Sequence, residues 1–257
     1  MSKKPIGVFD SGLGGASVLR EALSLLPGEN YIYYGDNHNA PYGDKSEAEI
    51  TRLAFKCADF LIGKGVKIML IACNTATSAA IRAIRSELDI PVVSMEPAIK
   101  PACSLAGDGK ILMMATSATT RLSRYQALKA RMPDPKRVID VACPGLVDRI
   151  EQGILSEDAF DDLFEAYFKP YHNIKIDGIV LGCTHYVFIK NAVSRYAAGH
   201  FLGEANIFDG NTATVRQLNR VLTVNNIKNP SGNGSVEFYT SGDAHRLTPL
   251  FFSLIHQ

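Results

Sequence analysis

The sequence predicts an α/β protein of two similar lobes, each a mainly parallel sheet flanked by helices, with the active site in the cleft between them. Three observations carry that expectation. Short β-branched runs alternate with helical stretches along the whole chain, the pattern of parallel sheets covered on both faces. Two of the runs end alike: Ile68-Met69-Leu70-Ile71 leads into Ala72-Cys73-Asn74-Thr75, and Gly178-Ile179-Val180-Leu181 leads into Gly182-Cys183-Thr184-His185. The two cysteines stand about 110 residues apart, the length of one small domain.

Taken in order, the candidate strands are Ile6-Phe9, Tyr31-Tyr34, Ile68-Ala72, Val92-Met95, Ile111-Ala115, Val138-Ala142, Ile179-Leu181, Ile207-Phe208 and Val236-Thr240. Helical patterns lie between them. In Glu47-Ile62 the apolar residues Ile50, Leu53, Ala54, Cys57 and Leu61 recur at helical spacing, and Ser78-Leu88 is a second example. Cys73 ends the third strand of the first half, and Cys183 ends the third strand counted from Ile111. Ligands of open α/β sheets bind beyond the carboxyl ends of the strands. Two facing lobes would therefore bring both thiols to one ligand.

The loops after the strands agree with that placement. Asp10-Ser11-Gly12-Leu13-Gly14-Gly15 follows the first strand and puts a carboxylate at its end. Pro41-Tyr42-Gly43 follows the second, and Thr116, Ser117, Thr119 and Thr120 follow Ile111-Ala115. The glycine-rich stretch lacks both the Gly-Lys-Ser/Thr of a P-loop and the Gly-x-Gly-x-x-Gly of a dinucleotide fold. Helix capping explains one hydroxyl per helix, but not hydroxyls and amides paired twice with cysteine.

Composition narrows the class. Apolar residues make up 46% and charged residues 21% of the 257, the balance of a globular protein. A net charge of +1 without a basic block gives no reason to expect nucleic acid or an anionic membrane as partner. The start of the chain is too short in apolar residues for a signal peptide, and no run approaches the roughly 18 residues of a membrane helix. A cytoplasmic location is expected. The five cysteines, at 57, 73, 103, 143 and 183, form no Cys-x-x-Cys pair, which argues against a disulfide scaffold or a zinc site. Core packing is the plain reading of Cys57, Cys103 and Cys143.

Two thiols facing one ligand suit inversion at the α-carbon of an amino acid. A proton must leave one face and another must arrive on the opposite face, so two bases flank the carbon. Each would sit roughly 3.5 Å away, with the sulfurs about 7 Å apart, far beyond the roughly 2.05 Å of a disulfide. A thiol pKa of about 8.5 lies near working pH, and a following helix N-terminus is expected to lower it. Asp10 and His185 are candidates to assist proton transfer at Cys73 and Cys183 respectively. A Cys183–His185 acyl-transfer site is the rival chemistry, and it leaves the polar collar of Cys73 unexplained.

Asp10-Ser11-Gly12 with Gly14-Gly15, Pro41-Tyr42-Gly43, Ala72-Cys73-Asn74-Thr75, Gly182-Cys183-Thr184-His185-Tyr186 and Phe238-Tyr239-Thr240-Ser241-Gly242-Asp243 together closely resemble the cofactor-independent glutamate racemases. The match runs in order over nearly the whole chain. The resemblance implies interconversion of L- and D-glutamate for bacterial peptidoglycan, with neither pyridoxal phosphate nor a metal. It implies that Cys73 deprotonates D-glutamate and Cys183 L-glutamate. Asp10, Ser11, Pro41, Tyr42, Gly43, Asn74, Thr75, Thr184 and His185 would hold or activate the substrate, with Thr116 and Thr119 as further contacts. The last strand and helix would return to the first lobe, giving 1–96 plus 210–257 and 97–209 as the two units. Members of the family dimerise, so a homodimer is an expectation.

Two segments depart from the family pattern. Val187-Phe188 stands where Pro-Leu is usual, and Gly35-Asp36-Asn37-His38-Asn39-Ala40 where Thr/Ser-Ala-Arg is common. Relatives acting on aspartate share the plan, as would a two-lobed binding protein without catalysis. Turnover of both D-enantiomers, followed by circular dichroism, separates these readings.

Overall fold

The computed structural model describes residues 2–230 and 232–256. Met1, Ser231 and Gln257, all in segments expected for the first lobe, lie outside the described residues. Among the described residues nine strands form two all-parallel sheets: β1 (Ile6–Asp10), β2 (Tyr31–Gly35), β3 (Ile68–Ile71), β4 (Val92–Ser94), β5 (Lys110–Ala115), β6 (Val138–Ala142), β7 (Ile176–Leu181), β8 (Asn206–Phe208) and β9 (Val236–Thr240). The first sheet has the order β4-β3-β1-β2-β9 and the second β6-β5-β7-β8.

Eleven α-helices cover the sheets among the described residues: α1 (Ala16–Leu25), α2 (Glu47–Gly63), α3 (Asn74–Glu87), α4 (Ile99–Cys103), α5 (Ser117–Arg121), α6 (Ser123–Ala130), α7 (Leu146–Glu151), α8 (Asp161–Phe168), α9 (Lys190–His200), α10 (Asn211–Val224) and α11 (Ala244–Ile255). Helix α2 shows why the pattern folds this way. Ile50, Leu53, Ala54, Cys57, Ala58 and Leu61 form its buried stripe. Ser46 caps its start, accepting from the Glu49 N–H at 3.2 Å, a contact whose loss typically costs about 1 kcal/mol.

Each sheet has a core on both faces. Ile6, Val8, Ile68 and Leu70 pack toward α1, α10 and α11, while Phe9, Met69 and Ile71 pack toward α2 and α3. In the second sheet Leu112, Ile179 and Leu181 meet α7, α8 and α9, and Ile111, Met113 and Val180 meet α4 and α6. Truncating one such buried aliphatic side chain costs about 2–5 kcal/mol. The two chain crossings between the sheets touch, because a Cβ on Gly210 would stand 2.7 Å from the Glu96 carbonyl oxygen. No helix among the described residues is long and apolar enough to cross a membrane.

Several expected boundaries move. The helix expected over Ser78–Leu88 begins at Asn74, because Cys73 is itself its N-cap and its sulfur accepts from the Ala76 N–H at 3.4 Å. Asn74 and Thr75 are therefore first-turn residues, not loop. After Cys183 the chain enters a short 3-10 turn over Thr184–Ile189 before α9 starts.

Candidate active site

The carboxyl ends of β1, β3, β5 and β7 converge, and four polar residues join them. Asp10, the last residue of β1, is fully buried and accepts from the Gly12 N–H at 2.8 Å. Its second oxygen accepts from the Thr184 hydroxyl at 3.0 Å, across the cleft. Ser11 Oγ receives the Cys73 thiol at 3.5 Å. Since Ser11 follows Asp10 and Thr184 follows Cys183, a short run of polar contacts connects the two thiols. Ser17, in α1, bridges as well, donating to the carbonyls of Gly14 and Thr184 at 2.9 and 3.0 Å.

Cys73 and Cys183 are 5% and 8% exposed. Burial pushes the Cys73 thiol up to about 12, helped by the negative charge of Asp10. The N–H of Ala76 and the hydroxyl of Ser11 pull the other way. The expected lowering by the helix N-terminus is thus present, but desolvation outweighs it.

Cys183 Sγ lies 3.6 Å from His185 Nδ1, and His185 Nε2 lies 2.6 Å from Glu151 Oε1. Gly14 N–H also points at Nε2, at 3.1 Å. One nitrogen cannot both donate to Glu151 and accept from Gly14. The shorter, charge-assisted contact to the carboxylate decides it, so the proton sits between Nε2 and Glu151. Burial disfavours charge on the imidazole, yet Cys183 and Glu151 together hold His185 well above its usual value of 6.5. The approach is tight, since a Cβ on Gly14 would stand 2.3 Å from Nδ1.

Glu151 escaped the sequence reading. It ends α7 in Ile150-Glu151-Gln152-Gly153, which reads as an ordinary solvated helix end. In the fold it accepts from the Leu13 N–H at 2.6 Å and from Asn37 Nδ2 at 2.8 Å as well as facing His185. Burial raises its pKa, but His185, Leu13 and Asn37 together lower it below the usual range. Asn37 belongs to the segment that departs from the family pattern.

The remaining expected residues fall into three groups. Thr75, Thr116 and Thr119 form a closed triangle of hydroxyls at 2.9, 3.0 and 3.0 Å, linking α3 to the second lobe. Asn74 is buried, donating to Met95 Sδ at 3.3 Å, while its Oδ1 has no hydrogen-bond partner among the described residues. Tyr42 points away, its hydroxyl donating to Asp36 at 2.6 Å, while its neighbours Pro41 and Gly43 line a cavity of about 20 Å³ opposite Thr116 and Pro144. That is room for about one water. Cys57 and Cys143 are buried in the core, and Cys103 is half-buried. Phe188 packs against the cores of both lobes, with Arg20 6.0 Å over its ring.

Two parallel α/β lobes meet with a buried thiol at a strand end of each sheet, and comparison with known proteins gives the class. A family model described as Asp/Glu/Hydantoin racemase matches residues 6–218. The chain belongs to this family. It is similar to the glutamate racemase of Clostridium perfringens (strain ATCC 13124), 43% identical over 258 residues, covering 99% of this chain and 97% of the relative. Among solved structures, glutamate racemase from Francisella tularensis in complex with D-glutamate superposes with a TM-score of 0.84 at 29% identity, covering 100% of this chain and 95% of that one. Escherichia coli glutamate racemase with L-glutamate and an activator gives 0.82 at 28% identity, covering 98% and 95%.

Proposed function

We propose that the chain is a glutamate racemase, interconverting L- and D-glutamate by proton transfer between two thiols and so supplying D-glutamate for peptidoglycan. One observation carries the reading: equivalent strand ends of two sheets each present a buried cysteine, and the Thr184–Asp10 bond closes the lobes around them. Similarity to glutamate racemases over the full chain supports the choice of substrate. The lobes are 1–96 with 210–257, and 97–209; their first member gains support from β9 pairing with β2. Free thiols fit a cytoplasmic location.

In this mechanism Cys73 takes the α-proton of D-glutamate and Cys183 that of L-glutamate, the other thiol delivering a proton to the opposite face. His185 removes the Cys183 proton, and Glu151 holds the imidazole in place. Asp10 acts on Cys73 through its charge. A substrate ammonium beside Asp10 would cancel that charge and lower the Cys73 pKa on binding. Asn74 Oδ1, a buried acceptor without a partner, suits that ammonium. Thr75, Thr116, Thr119, Thr184 and Ser11, with the backbone at Pro41, Tyr42 and Gly43, would hold the carboxylates, where donors stabilise the developing carbanion. The lobes must part to admit a five-carbon amino acid.

Racemisation in D₂O tests the division of labour. Wild type should place deuterium at the α-carbon of the inverted product. Cys73→Ser and Cys183→Ser should each abolish racemisation in both directions, while slow exchange without inversion survives for one enantiomer and swaps between variants. Wild-type racemisation by either variant would overturn the two-thiol mechanism.

A further inference from the structure

Away from the cleft, the second lobe gathers three ligating side chains at the amino end of β7. Glu165 comes from α8, His172 from the connection into β7, and His200 from the end of α9, and their donor atoms lie within 4.8 Å of one another. We infer that Glu165, His172 and His200 form a binding site for a divalent transition-metal ion of the zinc type.

The geometry is close to what such an ion needs. His172 Nε2 lies 3.6 Å from Glu165 Oε2. A tetrahedral ion bound at roughly 2.0–2.1 Å holds neighbouring ligand atoms about 3.4 Å apart. His200 therefore has to approach by about 1 Å, within reach of a side-chain torsion at a half-open surface. Its Nδ1 lies 2.9 Å from the Tyr196 carbonyl, to which Nδ1–H donates, leaving the Nε2 lone pair free. Fixing one ring nitrogen on a carbonyl is how ligating histidines are commonly oriented.

Tyr196 organises the other two ligands. Its hydroxyl donates to Glu165 Oε2 at 2.8 Å and lies 2.9 Å from His172 Nε2. The rings also pack together, Tyr196 stacked on His200 at 4.1 Å and 12°, and His172 tilted against His200 at 4.7 Å and 34°. When the ion enters, the His172 proton moves to Nδ1 and Tyr196 keeps its bond to the carboxylate, so no proton need leave. Two nitrogens among three donors favour zinc, nickel or copper over magnesium or calcium. Lys169 opposes the ion, but it stands 3.8 Å from Oε1 and leaves Oε2 available.

A bound ion would tie α8 to α9 across the segment entering β7. Cys183 lies at the other end of that strand, roughly 20 Å away by strand rise, so the site sits apart from the racemisation chemistry.

Calorimetric titration of the full chain with zinc chloride tests the site. The cleft thiols are a second sink for zinc, so the reading is a difference between proteins. The double variant His172→Ala/His200→Ala should lose one equivalent of bound zinc. Glu165→Gln should raise the dissociation constant of that equivalent at least about tenfold, as loss of a ligand-shell group does. Zinc should raise the melting temperature of wild type but not of the double variant, and magnesium should do neither. D-glutamate turnover should match wild type in both variants, and each protein's zinc-induced shift is read against its own metal-free melting temperature. The same zinc stoichiometry and affinity in wild type and double variant, binding or not, would overturn the proposal.

Discussion

Thr184 Oγ1 lies 3.0 Å from Asp10 Oδ2 and donates to it, so a residue beside one thiol holds the carboxylate nearest the other. Each residue comes from a different sheet. The bond spans the cleft, so parting the lobes would break it and change the charge environment of Asp10.

Thr184→Ala removes this bond and leaves an oxygen of the fully buried Asp10 without its partner. Turnover should fall on the order of 10²-fold, as when one oxyanion donor is lost. A stability loss of about 1–3 kcal/mol should accompany it. Steady-state kinetics and urea unfolding measure the two separately. A near-wild-type rate would reduce Thr184 to a structural residue.

Glu151→Gln tests the support of His185. Without the carboxylate, the imidazolium loses a charge partner and its pKa falls. The alkaline limb of the pH–rate profile should move to lower pH in the direction that needs protonated His185. The wild-type pair also has a stability signature. His185 is raised, so its contribution is complete below 6.5 and fades as pH climbs through the raised value. Glu151 is lowered, so its contribution is complete above 4.5 and fades as pH falls through the lowered value. Unfolding free energy should lose this dependence in the variant, and an unchanged profile would remove Glu151 from the site.

Asp10→Asn separates charge from catalysis. The amide can still accept from Gly12 N–H and can donate to Thr184 Oγ1, so the fold should persist. Removing the negative charge should bring the Cys73 thiol down from about 12, read as thiolate absorbance against pH. Racemisation should nevertheless fall, because the group proposed to meet the substrate ammonium has lost its charge. A Cys73 titration that does not move would show that burial alone sets its pKa.

Lys67→Ala addresses stability alone. Lys67 Nζ and Glu29 Oε2 form an ion pair at 2.5 Å with side chains only 3% and 4% exposed. Removing the lysine leaves a buried carboxylate and should cost about 3–5 kcal/mol. The melting temperature should drop on the order of 10 °C, with kcat of the folded enzyme unchanged at low temperature.

Residues fixed by strand ends were legible in the sequence. Asp10, Cys73, Thr184, Cys183 and His185 each follow an apolar run, so their address follows from parallel-sheet geometry. Glu151 and Asn37 were not, because their meeting depends on how the two lobes face each other, and nothing local encodes that. Tyr42 was misleading for the opposite reason. Its neighbours Pro41 and Gly43 lie at the cleft, but its own side chain turns inward to Asp36. The start of α3, four residues before Ser78, is hidden in the sequence because a cysteine is an unusual N-cap and Asn74-Thr75 resembles a turn. Glu165, His172 and His200 carry no spacing signal at all; only the packing of α8 against α9 brings them together.

Burial of the sulfurs also bears on survival under oxidative stress. Peroxide attacks thiolates, and a closed cleft offers it a Cys73 that is almost wholly protonated and 5% exposed. Damage would then be confined to moments when the lobes part. A substrate that keeps the sulfurs covered would act as a shield, and inactivation by peroxide should slow as glutamate is added. Dependence of the inactivation rate on opening, not on peroxide chemistry alone, would make oxidant sensitivity a clock for how often the lobes separate.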